Sequence, residues 1–266
     1  MASLGIGRDD RGAVYVEFLL AFMPLFIIFL ALCQVALLVA GKLVVSHAAF
    51  AGARSAIVVL DDDPAQYGDA PRGVLFDVIG KRAAQTSEGA RRAQQGKRMQ
   101  VIRSAAMAPL VAIAPSSDAF FGGRDATVAD SLRRDKTAAG AFARAYTEAA
   151  AVVTVHDGPA RSELASEPIL ESNPVTLRVT YLQLCGIPLV RSLICSSLAT
   201  LLEPPEVREK LVGVGGESKT ALGQRFALSG MPGWLEAAAG AGSRFMLFEA
   251  EVTLPNQGAR YEYPEP

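Results

Sequence analysis

The chain is poor in the residues that most metal and catalytic centres use. It has two histidines, His47 and His156, and three cysteines among 266 residues. Two histidines provide too few nitrogen ligands for an ordinary zinc cluster, so the sequence predicts no metal and no cofactor. His156, Asp157 and Ser162 are crowded into one short glycine- and proline-containing loop without a nucleophile-elbow pattern, which argues against a catalytic trio. We therefore expect a protein that is not an enzyme.

The sequence also lacks an excess of charge of either sign. It has 26 basic and 27 acidic residues, and the formal net charge is -1. This balance gives no overall field that would attract a polyanion, and we expect no nucleic-acid partner.

The basic residues at 91–103 are spread around a predicted helix and are interpreted as a solvated face. A glycine-rich segment at 213–220 resembles a phosphate-binding loop, but Ser218 replaces its last glycine, so we interpret it as a flexible loop.

One long hydrophobic run lies near the N-terminus. No charged residue occurs at positions 18–41. A helix of this length would extend about 36 Å, which exceeds the roughly 30 Å hydrocarbon core of a bilayer. The run is too long for a cleaved secretory signal and has too little charge for the core helix of a soluble protein. It predicts a single membrane-spanning helix, followed by a large domain outside the cytoplasm.

The basic residues near this run do not decide its orientation. Arg8 and Arg11 precede the run, and Lys42 and Arg54 follow it, so the positive-inside rule counts two on each side. We expect the N-terminus in the cytoplasm because the long polar remainder can be translocated regardless of its charge. The expected location is the inner (plasma) membrane, with the bulk of the chain in the periplasm.

Two of the three cysteines are candidates for a disulfide. Cys33 lies within the hydrophobic run, whereas Cys185 and Cys195 lie close together in the polar remainder. In an oxidising compartment, a bond between them would close a short loop and stabilise it by about 2 to 3 kcal/mol. Two buried free thiols are an equally well supported interpretation.

A single carboxylate stands at the N-terminal edge of the run. Glu17 directly precedes Phe18, and Gly12 lies a few residues earlier. An ionisable group costs about 3 kcal/mol at the centre of a bilayer and less at its edge, which makes Glu17 a functional candidate. We expect Glu17 in the first turn of the helix, where the helix dipole favours a carboxylate. The alternative is a plain signal anchor in which Glu17 only caps the helix.

The glycine, the glutamate, the phenylalanine and the apolar run, at this spacing, resemble the N-terminus of type IV pilin-like precursors. More narrowly, they resemble the TadE-like pseudopilins. The alanine-rich stretch at 46–55, with Gly-Ala-Arg at 52–54, is similar to the segment that follows the membrane helix in that family. The resemblance covers residues 11–60. The acidic pair at 9–10 departs from the more basic leader that is typical of the family.

The resemblance implies that a prepilin peptidase cuts after Gly12, so that Ala13 becomes the first mature residue. It also implies that Glu17, beside Phe18, pairs with the new amine of a neighbouring subunit inside an apolar helix bundle. The implied partners are the membrane, the peptidase, and other pilin-like subunits and assembly proteins. The implied function is that of a minor pseudopilin, a structural or assembly component of a Tad-type pilus. A signal-anchored extracytoplasmic binding protein unrelated to pili is the alternative.

The predicted fold class is α+β. We expect a leader at 1–12, a spanning helix at 13–60 that continues beyond the membrane, and an extracytoplasmic domain at 61–266. The helix should end near position 61, because three consecutive aspartates precede Pro64 there. Its alanine-rich part offers a surface for close packing.

The distal domain is predicted to combine helices with a small antiparallel sheet. Helical periodicity at 75–108 and 127–153 predicts two helices. Alternating apolar residues at 175–181 and 245–253 predict two strands that pair antiparallel. Between these strands, residues 189–202 are apolar enough for a buried or membrane-proximal helix. We expect the helices to pack against the sheet and the N-terminal helix, and the tail after Pro255 to be loosely held.

Overall fold

The other elements of the fold pack against the C-terminal half of one long helix. The computed structural model describes residues 10–69, 72–73, 96–116, 120, 136–157, 174–202 and 232–258. The helices are α1 (Asp10–Val59), α2 (Lys97–Leu110), α3 (Lys136–Ala150), α4 (Arg191–Ile194), α5 (Leu198–Leu202) and α6 (Gly233–Gly240). The strands are β1 (Ala151–Asp157), β2 (Val175–Leu184) and β3 (Phe245–Leu254), and short 3-10 turns occupy Pro64–Tyr67 and Val111–Ile113. The architecture is α+β, as predicted.

The boundaries of α1 follow from its sequence. The helix continues through Pro24, which is tolerated in a membrane-spanning helix when local adjustments satisfy the freed carbonyl. It ends at Val59, just before the three aspartates, as predicted. Asp63 then caps the next turn, because its carboxylate accepts a hydrogen bond from the Ala65 amide at 3.0 Å.

The three strands form one antiparallel sheet in the order β1-β2-β3. The two predicted strands pair antiparallel, with Val179 of β2 opposite Ala250 of β3. On the other side of β2, Val179 is opposite Val153 of β1. Because β2 is central, most of its side chains are buried on both faces. One face is apolar and includes Leu177, which packs against α1.

Two predicted helices differ from the structure. The helix predicted for 127–153 ends at Ala150, and β1 begins at the next residue. The valines of β1 are β-branched and therefore suit a strand. Pairing with β2 supplies the backbone hydrogen bonds of β1. The helix predicted for 189–202 is divided into α4 and α5, because Ser196 forms an isolated β-bridge to Phe245. Residues 75–95 and 127–135 lie outside the described part of the chain.

The core lies between the apolar sheet face, α1 and α2, as predicted for helices that pack on a common sheet. An aromatic cluster extends this core on the side of α3. Its rings contact one another at centroid distances of 5.2 to 6.2 Å and belong to Phe120, Phe142, Tyr146, Tyr181 and Trp234. Packing among the sheet, α1 and this cluster therefore fixes the C-terminal half of α1.

Candidate functional site

The side chains in the first half of α1 are exposed in the isolated chain. Every side chain at positions 15–29 is exposed, including large apolar ones such as Phe18, which is 61% exposed. Among the described residues, Tyr15–Val59 is the one helix that is long and apolar enough to cross a membrane. An apolar surface of this extent indicates burial by lipid or by other helices. The single N-terminal apolar helix therefore indicates a single-pass membrane protein. We call positions 15–33 the projecting segment.

The predicted site residues lie at the start of this helix. Gly12 and Ala13 lie within α1, which begins at Asp10. Glu17 is exposed, and Phe18 beside it stacks on Phe22 at a centroid distance of 5.4 Å. The expectation that Glu17 lies in the first helical turn is wrong, because α1 begins several residues earlier. Its carboxylate is therefore not placed by the amides of a helix terminus.

Glu17 is a carboxylate on an otherwise apolar surface. It forms no ion pair with any side chain of the described residues. Its neighbours Val16 and Phe18 are exposed as well, so other chains or lipid can approach it from the side. An unpaired carboxylate is costly in an apolar environment, and a cation supplied by another chain would offset that cost. The arrangement can therefore favour association with a cationic partner over association with any apolar helix.

The second half of α1 has one buried face, which we call the packed face. Its residues recur at three- and four-residue spacing, and most are small: Gln34, Leu38, Gly41, Val45, Ala48, Ala49, Gly52, Ala53 and Ala56. A Cβ atom added to Gly52 would lie 2.9 Å from the Ala106 Cβ atom and 3.1 Å from Leu177 Cδ2. The alanine-rich surface predicted for close packing is therefore used within the chain, where α2 and β2 cover it.

The Gly-Ala-Arg triplet at 52–54 serves two sides of this helix. Gly52 and Ala53 are buried, and Gly52 allows the close approach to α2 and β2. Arg54 is exposed on the other side, with its guanidinium carbon 5.9 Å from the centre of the Phe50 ring. The triplet therefore combines a structural contact with an exposed cation.

Gln34 was missed by sequence reasoning. It is the only amide side chain in the uncharged run, and it is 1% exposed. Its Oε1 atom accepts a hydrogen bond from the Ile187 amide at 3.1 Å. A lone amide in a membrane segment is a signal for a specific hydrogen bond, because the bilayer core provides no water to satisfy it. Gln34 is the first fully buried residue of α1 among those whose burial is described.

The two distal cysteines form a disulfide in the structure. Cys185 and Cys195 are bonded, so the alternative of two free thiols does not hold, and Cys33 is free. The disulfide packs with Leu38 of α1 in a small apolar cluster, with Met246 and Phe248 at its edge. The bond therefore holds its loop against the same part of α1 that Gln34 contacts.

Arg98 was also missed, because it was interpreted as part of a solvated helix face. It is buried, and its guanidinium donates hydrogen bonds to the carbonyl of Val59 and to that of Asp62. It also lies 4.3 Å from the centre of the Tyr67 ring. Burial lowers the pKa of Arg98, while nearby Tyr67 and Asp62 act in the opposite direction. Arg98 thus satisfies carbonyls at the C-terminal end of α1.

The catalytic and metal chemistry considered from sequence has little geometric support among the described residues. His156 lies on β1, not in a loop, and hydrogen-bonds to Thr154 Oγ1 at 3.1 Å. His156 is the next-to-last residue of β1, and its side chain is buried. Ser162 and the glycine-rich segment at 213–220 lie outside the described residues. Within the described ranges, no group of three histidine, cysteine or acidic residues could hold a metal ion.

Comparison with known proteins agrees with the N-terminal motif. The family model described as TadE-like protein matches residues 12–54. No curated protein and no solved structure matches the chain significantly. The matched range runs from Gly12 to Arg54, so it includes Glu17, Phe18 and the glycine at the closest approach of α1 to α2. This match supports a role associated with the Tad pilus. Residues 12–54 are thus a TadE-like segment, and the family predicted from the N-terminal motif is confirmed over that range.

Proposed function

We propose that this protein is a minor pseudopilin, a membrane-anchored structural or assembly component of a Tad-type pilus that acts through helix-helix association. The observation that carries the proposal is the projecting segment. It presents the exposed Glu17 and Phe18 on a bare apolar helix, inside the range that matches the TadE-like family. The distal domain leaves this surface uncovered, so the segment is free to pack against other helices.

In this proposal, a prepilin peptidase removes the leader at 1–12 by cutting after Gly12. The cut exposes a positively charged amine on Ala13. The carboxylate of Glu17 pairs with this amine on a neighbouring subunit, so that both charges are compensated inside an apolar helix bundle. The pairing sets the register of the two helices, since any other axial offset leaves a charge unpaired in apolar surroundings.

The proposed location is the inner membrane, with the N-terminus in the cytoplasm and residues 61–266 in the periplasm. The Cys185–Cys195 disulfide supports an oxidising compartment for the distal domain. We further propose that the protein is not an enzyme and uses no cofactor. Its partners are then other pilin-like subunits and pilus assembly proteins, some of which the distal domain contacts in the periplasm.

Replacement of Glu17 tests the proposal in cells that make the pilus. We expect Glu17→Ala and Glu17→Gln to abolish both pilus assembly and cross-linking to pilin-like subunits, because each removes the charge that pairs with the amine. Glu236→Ala is the matched control, since Glu236 is an exposed acid on α6. Immunoblots of membrane fractions check that all variants accumulate equally.

Normal piliation of the Glu17→Ala strain would contradict the proposal. It would favour the alternative, a signal-anchored extracytoplasmic binding protein unrelated to pili, for which Glu17 is dispensable. Gly12→Val adds a second test at the proposed cleavage site, because a branched side chain there should block processing. We expect it to leave a longer chain in the membrane and to prevent assembly, as the Glu17 variants do.

A further inference from the structure

Exposed apolar side chains outside α1 are concentrated in one loop. Among the described residues beyond α1, three large apolar side chains are strongly exposed: Val101 at 42%, Leu189 at 66% and Leu193 at 74%. Two of the three lie between Cys185 and Cys195, in a segment that we call the disulfide loop (residues 186–194). Single exposed apolar residues scattered over a surface need no explanation, but exposed leucines grouped in one short loop indicate a contact with another molecule or with lipid.

The disulfide loop is fixed beside the membrane end of the distal domain. Ile187 donates its amide hydrogen bond to Gln34, and the disulfide packs on Leu38. Both contacts lie within the uncharged run at 18–41. Lys42, the first charged residue after that run, lies about 12 Å further along the helix axis than Gln34. The loop is therefore on the membrane side of the first charged residue that follows the run.

The depth of the loop follows from the length of the helix. A hydrocarbon core of about 30 Å takes up about 20 helical residues. If the core begins at Phe18, the first residue after Glu17, it extends to about position 37. Gln34 then lies just inside the boundary between acyl chains and headgroups, and the disulfide loop lies at the same level.

The backbone of the loop presents its leucines outward. Val190 is fully buried, whereas Leu189 before it and Leu193 on α4 are both exposed. Leu189 has a φ angle of 68°, a left-handed conformation that leucine rarely adopts. The turn is held by a hydrogen bond from the Arg191 amide to the Ile187 carbonyl at 3.1 Å. A strained backbone that exposes a leucine persists only when the surrounding structure fixes it.

We infer that the disulfide loop is a second membrane contact, and that Leu189 and Leu193 insert at the boundary between the acyl chains and headgroups of the leaflet facing the distal domain. The lipid surface is the favoured occupant because the hydrogen bond to Gln34 holds the loop within the length of α1 that is apolar enough to cross a membrane. Arg191, between the two leucines, can lay its stem along the acyl chains and extend its charge to a lipid phosphate. The inference rests on α1 spanning the membrane and is independent of the pilus role.

A second contact would restrict the motion of the distal domain. A single helix allows the domain to rotate about the membrane normal and to tilt with α1. Contact at the loop, beside the helix, fixes which side of the domain faces the bilayer, since interfacial residues help to set helix tilt and rotation. The exposed stripe of α1 with Phe50 and Arg54 then keeps a defined orientation toward neighbouring proteins.

Photolabelling from the lipid tests the contact on the full chain. The protein is reconstituted in vesicles of phosphatidylcholine and phosphatidylglycerol that contain a phospholipid with a diazirine in its acyl chain, and labelled residues are mapped by mass spectrometry. We expect label on the projecting segment and on the disulfide loop, and none on α2 around Val101, which serves as the exposed apolar control. Label confined to α1 would overturn the inference. It would indicate that the exposed leucines of the loop contact another protein and not lipid.

A double variant tests the role of the leucines. Leu189→Ser combined with Leu193→Ser should reduce labelling of the loop severalfold and leave labelling of α1 unchanged. Val101→Ser is the matched control and should change neither. A non-reducing gel checks that the disulfide still forms. Undiminished loop labelling in the double variant would contradict the inference, and the Glu17→Ala variant should label like the unmodified protein whether or not it assembles pili.

Discussion

At the scale of single residues, three polar side chains divide α1 into parts with different surroundings. Glu17 is exposed on the projecting segment, and no described side chain forms an ion pair with it. Gln34 is buried and hydrogen-bonded to the disulfide loop. Lys42 donates a hydrogen bond to the Glu249 carbonyl and so ties α1 to β3. The distal domain therefore provides hydrogen-bond partners for Gln34 and Lys42, whereas Glu17 has no such partner among the described residues.

Two buried tyrosines allow a matched test of the core. The Tyr146 hydroxyl donates to the Leu182 carbonyl at 2.7 Å, whereas the Tyr181 hydroxyl is buried with no hydrogen-bond partner among the described residues. We expect Tyr181→Phe to raise the free energy of unfolding by about 1 kcal/mol, because it removes an unsatisfied polar group. Tyr146→Phe should lower it by about 1 kcal/mol. Urea unfolding of the full chain in detergent measures the free energy of unfolding of both variants. Equal changes in the two variants would contradict the difference in hydrogen bonding between the two hydroxyls.

The same tyrosines predict a loss of stability at alkaline pH. Burial raises the pKa of Tyr146 and that of Tyr181 above the ordinary value of 10.0. The phenols therefore ionise more readily in the unfolded chain, so the native state loses stability relative to the unfolded chain as the pH rises above 10. We expect the free energy of unfolding to fall above pH 10 and to fall less steeply in Tyr181→Phe. An unchanged slope in this variant would count against the burial of that phenol.

At the scale of the elements, α1 combines two kinds of helix in one. Apart from Glu17, the projecting segment is apolar on all sides, which suits lipid or a helix bundle, and the second half of α1 has a single buried face of mostly small residues. The change occurs at Gln34, where the distal domain begins to cover the helix. The small residues bring the backbone of α1 close to α2 and the sheet, so the projecting segment extends from a well-anchored base.

Two glycines test this packing with the same substitution. Gly52→Ala should lower the free energy of unfolding by about 1 to 2 kcal/mol, because its new Cβ atom would overlap Ala106. Gly140→Ala on α3 has nothing within 4 Å of the new atom and should raise it by about 0.5 to 1 kcal/mol through helix propensity. Thermal unfolding of the full chain in detergent measures both. Equal changes in the two variants would contradict the close approach at Gly52.

The disulfide should stabilise the loop that contacts α1. Replacing Cys185 and Cys195 together by serine should lower the free energy of unfolding by about 2 to 3 kcal/mol, since a closed loop of this length restricts the unfolded chain. Denaturant unfolding with and without a reductant measures the effect. The reductant should destabilise the unmodified protein and leave the double variant unchanged. No response of the unmodified protein would show that the bond does not contribute.

The sequence predicted the elements whose signals are local. The extent of α1 follows from an uninterrupted apolar run and the aspartates after it, and β2 and β3 follow from alternation over several residues. β1 was missed because it begins directly after α3, with no glycine or proline between them to mark the boundary. The division of 189–202 was missed as well, because it depends on the bridge from Ser196 to Phe245, far away in sequence.

At the scale of the whole molecule, the candidate site could be predicted where its pattern is continuous in sequence. Gly12, Glu17 and Phe18 are recognisable from spacing alone, and the family match covers them. The roles of Gln34 and Arg98 could not be predicted, because each depends on a contact with a distant segment. The depth of the disulfide loop could not be predicted either, because it depends on the contact between the loop and Gln34. Local sequence thus identifies the TadE-like segment, and tertiary contacts determine how the second half of α1 is packed.

In the proposed function, a prepilin peptidase frees the amine of Ala13, which then pairs with Glu17 of a neighbouring subunit. This proposal is tested most directly by sequencing the N-terminus of the protein isolated from membranes of cells with an active prepilin peptidase. We expect a mature chain that begins Ala13-Val14-Tyr15, and a longer chain that retains Gly12 and the residues before it when the peptidase is inactivated. A chain that still carries Gly12 and the residues before it while the peptidase is active would contradict this proposal.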